Sequence, residues 1–145
     1  MARWEIKNVR IAGVAAAVPR NVVYTTDFDF FTLEEAEVFN NTVGIKQRHI
    51  APEDVCASDL CFAAAEQLLA DLKWERESVD VLIFESVTGD YKTPPTSCLL
   101  QDRLGFSEDC FCMDIPKGCC GCMYAITTGG NLLDRESVEW GKSVG

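Results

Sequence analysis

The sequence predicts an α/β fold in which short strands alternate with helices and form a parallel sheet. Three observations carry that reading. Apolar runs of strand length, at 79–86 and 110–115, alternate with stretches of helical period. The loops between them are only a few residues long. The run 119–133 has helical length and no polar face, so it must be covered on every side and belongs at the centre of a structure.

Taken in order, residues 5–18, E-I-K-N-V-R-I-A-G-V-A-A-A-V, read as a strand ended by Pro19. Thr32-Leu-Glu-Glu35 matches a capping box, with Thr32 as N-cap and Glu35 reaching back to it. The helix that follows runs to about Asn41, with Gly44 as its stop. A loop with Pro52 leads to Ser58, a second N-cap, and then Leu60, Ala64, Leu68 and Leu72 share one face of an amphipathic helix. V-D-V-L-I-F-E-S (79–86) is a buried strand. The loop V-T-G-D-Y-K-T-P-P-T-S ends in a helix start that suits proline, and Gly105 closes that helix after Leu104. C-F-C-M-D-I (110–115) is another strand, and the turn P-K-G leads into the apolar helix. The last stretch, from Leu133 on, is polar and without a strand, so the chain looks truncated just after its most buried helix. Its W-G-K-S is no phosphate loop, because Glu136 stands where that pattern needs glycine.

Composition bounds the function. The 145 residues make one domain or half of a larger one, and 48% apolar residues suffice for a core. A net charge of −10 with a single histidine argues against nucleic-acid and anionic-membrane partners, which need a basic footprint. No apolar run approaches the ~18 residues of a membrane span, and M-A-R-W-E-I-K is too charged for a secretory signal. A soluble, cytoplasmic chain is expected.

The eight cysteines, at 56, 61, 98, 110, 112, 119, 120 and 122, read mostly as small core hydrophobes, because disulfide frameworks belong to secreted chains. The turn P-K-G-C-C-G-C differs. It places Cys119 at or beside the first turn of the apolar helix, where free N–H groups and the helix dipole favour a thiolate, and Lys117 adds positive charge. A turn after a strand also lifts the side chain to the carboxyl ends of the strands, where α/β proteins bind ligands. Cys119 is therefore a candidate nucleophile, with packing as the bland alternative. Cys119-Cys-Gly-Cys122 is also formally a C-x-x-C dithiol. Zinc is set aside and no metal is expected, on the reading that the C-x-C of Cys110 and Cys112 is split between the faces of a strand.

Three segments resemble the amino-terminal half of the β-ketoacyl-acyl-carrier-protein synthase III family of thiolase-like condensing enzymes. V-G-I-K-Q-R-H-I (43–50) is similar to its T-G-I-R-x-R-x-I stretch, and P-T-S-C-L-L-Q-D-R-L-G (95–105) to its P-S-x-A-C-x-I-Q-x-x-L-G helix. M-D-I-P-K-G-C-C-G-C-M-Y-A-I (113–126) looks like its D-V-x-x-A-C-A/S-G-x-x-Y-A-L segment, and that register puts Cys119 on the acyl-accepting cysteine. Order and spacing agree over roughly residues 7–133.

The resemblance implies a thiolase-like layered fold, its amino-terminal half only: a mixed sheet packed with helices, and a buried central helix after the nucleophile. It implies acyl transfer from a short acyl-coenzyme A to Cys119. Decarboxylative Claisen condensation with malonyl-acyl carrier protein then follows, in fatty-acid synthesis, by a homodimer without a resident cofactor. Backbone N–H groups, that of the cysteine included, would hold the oxyanion. The family's catalytic histidine and asparagine belong to its carboxyl-terminal half, and His49 is a loop residue outside that pair. Val38 and Thr42 stand where relatives often carry Trp and Arg for the coenzyme's adenine, and Thr93 where they often place an aromatic that reaches the neighbouring subunit. Cys120 replaces the usual Ala or Ser. Two other classes stand beside this one: a C-x-x-C dithiol redox protein, and a non-catalytic truncated partner subunit.

Overall fold

A computed structural model describes residues 5–133. Their elements are β1 (Val22–Tyr24), α1 (Leu33–Val43), β2 (Gln47–His49), α2 (Ala57–Leu72), β3 (Val81–Glu85), α3 (Thr96–Leu104), β4 (Phe111–Ile115) and α4 (Gly121–Leu133). Short 3-10 turns lie at Thr25–Asp27 and Arg76–Ser78. β3 and β4 pair in parallel, from Val81 opposite Phe111 to Glu85 opposite Ile115, and α3 is their crossover. β1 and β2 pair antiparallel, with Val22 opposite His49. Among the described residues the strands thus form two separate pairs, not one sheet.

Residues 5–18 are not the expected strand, since no ladder forms along them. Side-chain contact holds them instead: Gly13 lies against Leu68 and Leu72 of α2, and Ile6 against Gly130 of α4. A run as small as A-G-V-A-A-A can lie close on helices without a ladder partner. Residues 134–145, read above as polar and without a strand, lie outside the described residues.

The faces of β3 sort the layers. Successive strand side chains point to opposite faces. Phe84 joins Leu100 and Leu104 of α3 in the core, which Ala57, Phe62 and Ala65 of α2 surround together with Leu82 and Phe106. Ile83 points the other way, onto Gly129 of α4. Helices α2 and α3 therefore cover one face of the parallel pair and α4 the other. A single sheet layer covers only one face of a helix, so the cover that the apolar α4 needs on its other face is not supplied by the described residues. Met123, Tyr124, Ile126 and Leu133 remain exposed, Met123 by 64%.

Local chemistry sets the helix ends. The Thr32 box forms as expected: Glu35 N–H donates to Thr32 Oγ1 at 3.2 Å, and Thr32 N–H to Glu35 Oε2 at 2.9 Å. Gly44 ends α1 as expected, with φ +79°, a left-handed conformation that suits glycine, although the helix runs on to Val43 rather than to about Asn41. Ser58 is not the cap of α2. Cys56 holds that place, its N–H donating to Asp59 Oδ2 at 2.8 Å, while Ser58 is buried in the first turn and donates to Asp90 at 2.5 Å. Arg103 ties α3 to α2 through Asp59 at 2.8 Å, and Arg76 grips both oxygens of Glu66 at 2.7 and 3.0 Å and also the Leu104 carbonyl.

The β1–β2 ribbon has its own small packing. Thr25 is fully buried and its N–H donates to Lys46 O at 3.0 Å. Phe28, Phe30, Phe31 and Phe39 form a chain of ring contacts, with the Arg48 guanidinium 5.2 Å from the Phe28 ring.

Candidate active site

The parallel strands β3 and β4 end together, and the chain leaves β4 through Pro116, Lys117 and Gly118. Gly121 N–H donates to Gly118 O at 2.7 Å, so residues 118–121 form one tight turn with Cys119 and Cys120 at its centre. Cys120 O then accepts from Met123 N at 3.1 Å and Tyr124 N at 3.3 Å, which makes Cys120 the N-cap of α4 and puts Cys119 just before it. Cys119, Cys120 and Cys122 are all exposed. Lys117 does not simply face the thiols: its Nζ sits 5.0 Å above the Tyr124 ring.

Two carboxylates that sequence reading missed brace this turn. Asp114 of β4 accepts from Thr96 N at 2.7 Å and Ser97 N at 2.8 Å, capping α3 across the fold where its own N-cap, Pro95, has no side-chain donor or acceptor. Glu85, the last residue of β3, points to the same face as Ile83 and lies directly against Gly121. A side chain on Gly121 would come within 2.7 Å of Glu85 Cγ and meet the carboxylate, so the glycine is what lets Glu85 take this position. The available signal was a charge inside an otherwise apolar parallel strand, in V-L-I-F-E and again in F-C-M-D-I.

A cavity of about 430 Å³ opens at the carboxyl ends of the two strands, lined by Ser86, Val87, Asp90, Lys92, Asp114 and Pro116. Its Asp90 is held by Thr96, whose Oγ1 accepts from Asp90 N at 3.1 Å. Cys119 lies beyond Pro116 and is not part of this lining.

The remaining thiols divide differently from expectation. Cys110 is buried and Cys98 and Cys112 half-buried, but Cys56, the cap before α2, and Cys61, in its second turn, are exposed as residues. Burial pushes the Cys61 thiol up, helped by the Asp90 carboxylate, and burial likewise pushes Cys110 up. Burial with Cys110 and Cys98 alongside takes Cys112 up to about 12. Cys110 and Cys112 are not split between faces: residues two apart in a strand point the same way, and Cys112 Sγ lies 3.5 Å from Cys110 O. Among the described residues no group of three or more Cys, His, Asp or Glu is placed to hold a metal.

The ribbon carries the other residues singled out. His49 is exposed on β2, opposite Val22, with Nδ1 2.5 Å from Pro19 O. Val38 and Thr42 line a shallow apolar cavity of about 490 Å³ on α1 with Phe31, Phe39 and Val43, and the Thr42 hydroxyl donates to Val38 O at 2.8 Å. Thr93 is exposed and precedes a cis proline.

Comparison with known proteins places this geometry. No family model matches the chain. It is 32% identical over 127 residues to β-ketoacyl-[acyl-carrier-protein] synthase III of Bacillus pumilus, a match covering 88% of this chain and 40% of that protein. The protein of the same name from Rhodopirellula baltica is 35% identical over 130 residues, 90% of this chain and 37% of its own length. The chain is a relative of β-ketoacyl-[acyl-carrier-protein] synthase III. Among solved structures, a 3-oxoacyl-(acyl-carrier protein) synthase from Burkholderia xenovorans superposes with a TM-score of 0.84 at 36% identity, covering 90% of this chain and 38% of that one. OleA from Xanthomonas campestris gives 0.80 at 26% identity, with 92% and 41% covered. The fold is thus the thiolase-like α/β fold of the synthase III and OleA structures, in its amino-terminal portion. The chain spans about two-fifths of the length of the synthases III that it matches. Among the described residues no helix is long and apolar enough to cross a membrane.

Proposed function

We propose that this chain is the acyl-accepting, amino-terminal half-domain of a condensing enzyme of fatty-acid synthesis, with Cys119 as its nucleophile. The observation that carries the reading is the exposed Cys119 thiol at the centre of a tight turn between the carboxyl end of β4 and the N-terminus of α4. A thiolate there attacks the carbonyl carbon of a short acyl-coenzyme A. A new thioester bond forms to Cys119, the old carbon–sulfur bond breaks, and coenzyme A leaves with a proton. Backbone N–H groups at the turn, that of Cys119 included, would hold the tetrahedral oxyanion.

In the second half-reaction a malonyl group on acyl carrier protein loses carbon dioxide, and its carbanion attacks the acyl-Cys119 carbonyl. A carbon–carbon bond forms and the Cys119 thiolate leaves. The family's histidine and asparagine serve that step, and the one histidine of these 145 residues, His49, is not assigned to it. The partners proposed are acyl-coenzyme A, acyl carrier protein and a second copy of the subunit, in the cytoplasm and with no resident cofactor.

The test is incubation with acetyl-coenzyme A followed by mass mapping. Acetylation confined to Cys119 and lost in Cys119→Ser is the expected result; acetylation at Cys120 or Cys122 instead overturns the assignment. The dithiol reading keeps one observation, the exposure of Cys119 and Cys122 three residues apart. A dithiol–disulfide couple titrating near thioredoxin potentials would favour it over acyl transfer.

A further inference from the structure

Asp90 stands in the middle of the loop 86–95, which joins β3 to α3, and two helices hold it. Its N–H donates to Thr96 Oγ1 of α3 at 3.1 Å, and its Oδ2 accepts from Ser58 Oγ of α2 at 2.5 Å. Ser58 is 1% exposed and accepts a hydrogen bond from Arg103 Nη1 at 3.2 Å, so its one proton is committed to Asp90. The other carboxylate oxygen, Asp90 Oδ1, is buried and meets no donor among the described residues. Without Ser58 the carboxylate would be left inside with no partner, and the loop would have to turn it out to water.

This loop supplies Ser86, Val87, Asp90 and Lys92 to the wall of the cavity at the carboxyl ends of β3 and β4. Pro116 lines the same cavity, and Cys119 follows it by three residues, so their α-carbons are at most about 11.4 Å apart. Thr96 joins wall and strand, since its hydroxyl holds Asp90 while its N–H goes to Asp114 of β4. Ser58 holds the wall alone. We propose that Asp90, clasped by Ser58, is the positioning residue that fixes this wall, and that the acyl donor passes along it to reach Cys119. Asp90 acts through the loop and not on the reacting atoms. The inference deepens the function proposed above and rests on Cys119 being the nucleophile.

The test is Ser58→Ala, read at two cysteines. Cys61 reports the clasp, because burial and the Asp90 carboxylate together push its thiol up. Its alkylation by iodoacetamide is expected to quicken at least about three-fold as the loop swings out, while Cys112 stays slow, which separates local opening from unfolding. Cys119 reports the wall. The acetyl-coenzyme A concentration that half-saturates its acetylation is expected to rise at least about three-fold, with the maximal rate unchanged, because a displaced wall weakens donor binding only. The iodoacetamide rate at Cys119 is expected to stay the same, since the thiol itself is untouched. Asp90→Asn keeps an acceptor for Ser58 and is expected to give a smaller rise. Ser78→Ala, which removes an exposed hydroxyl bonded to Glu75 O at 2.6 Å, is expected to give none. The proposal is overturned if Cys61 does not quicken in Ser58→Ala, if Cys112 quickens in step with it, or if Cys61 quickens and the half-saturating concentration does not move. Failure of acetyl-coenzyme A to acetylate Cys119 in the unaltered chain would instead overturn the parent function, a result on which the Cys61 alkylation does not depend.

Discussion

Asp114 and Thr96 are 18 residues apart, yet the Asp114 carboxylate holds the Thr96 N–H at 2.7 Å and that of Ser97 at 2.8 Å. A strand residue thereby does for α3 what an N-cap does for a helix, and it binds the strand that leads to Cys119 to the helix that crosses over it. Both α3 residues are fully buried, so their N–H groups have no water to turn to. Asp114→Ala is expected to cost about 1.5–3 kcal/mol, and Asp114→Asn less, because the amide keeps one acceptor. The urea midpoint is the measurement.

Leu104 is 1% exposed and sits between β3 and α2 with Leu100 and Phe84. Leu104→Ala is expected to lower stability by about 2–5 kcal/mol through lost burial and the cavity left behind. Leu33, 77% exposed on α1, serves as the comparison, and its alanine variant is expected to change the midpoint little.

The thiols are expected to alkylate in an order set by their surroundings. Cys112, pushed up to about 12 by burial and its sulfur neighbours, is the slowest, and Cys110 and Cys61 also lag. The exposed Cys119, Cys120, Cys122 and Cys56 react first, with Cys119 expected to lead them. Time-resolved labelling of the folded chain followed by mass mapping checks the order. Early modification of Cys112 would contradict the packing of α3 on β4.

Acid is expected to loosen the ends of α1 and α2. Glu35 is held below its usual 4.5 by the Thr32 backbone N–H and hydroxyl, Asp59 below 3.8 by the Cys56 N–H and then Arg103, and Glu66 below 4.5 by Arg76. A carboxyl lowered by folding adds stability that is whole above its unfolded value and fades as pH falls towards the folded one. The denaturation midpoint should therefore be level above about pH 5 and decline below it. In Glu35→Gln the decline should be shallower.

The four helices and the strands β3 and β4 were legible because local signals set them: a capping box at Thr32, a left-handed glycine at Gly44 and again at Gly105, and apolar runs of strand length; the short ribbon of β1 and β2, polar at Gln47–His49, was not. The Cys119 turn was legible for the same reason, being built from contiguous residues. What failed was decided by distant neighbours. Residues 5–18 have strand composition, but a strand exists only where another supplies a ladder. Ser58 has the chemistry of a cap, yet Asp90, 32 residues away, takes its hydroxyl. Glu85 and Asp114 looked like interruptions in apolar strands until the fold set one against Gly121 and the other on α3.

The two strand pairs share no rung, and this divides the molecule's resistance to opening. The β1–β2 ribbon, with Thr25 locked to Lys46 and a chain of four tilted phenylalanine rings beside it, has packing of its own. Parting it breaks no hydrogen bond between β3 and β4. Hydrogen exchange should then resolve two cooperative units, with the amides of Val81–Glu85 and Phe111–Ile115 outlasting those of Val22–Tyr24 and Gln47–His49. The ribbon can breathe, or be remodelled by mutation, on its own timescale, while the backbone that presents Cys119 keeps its shape.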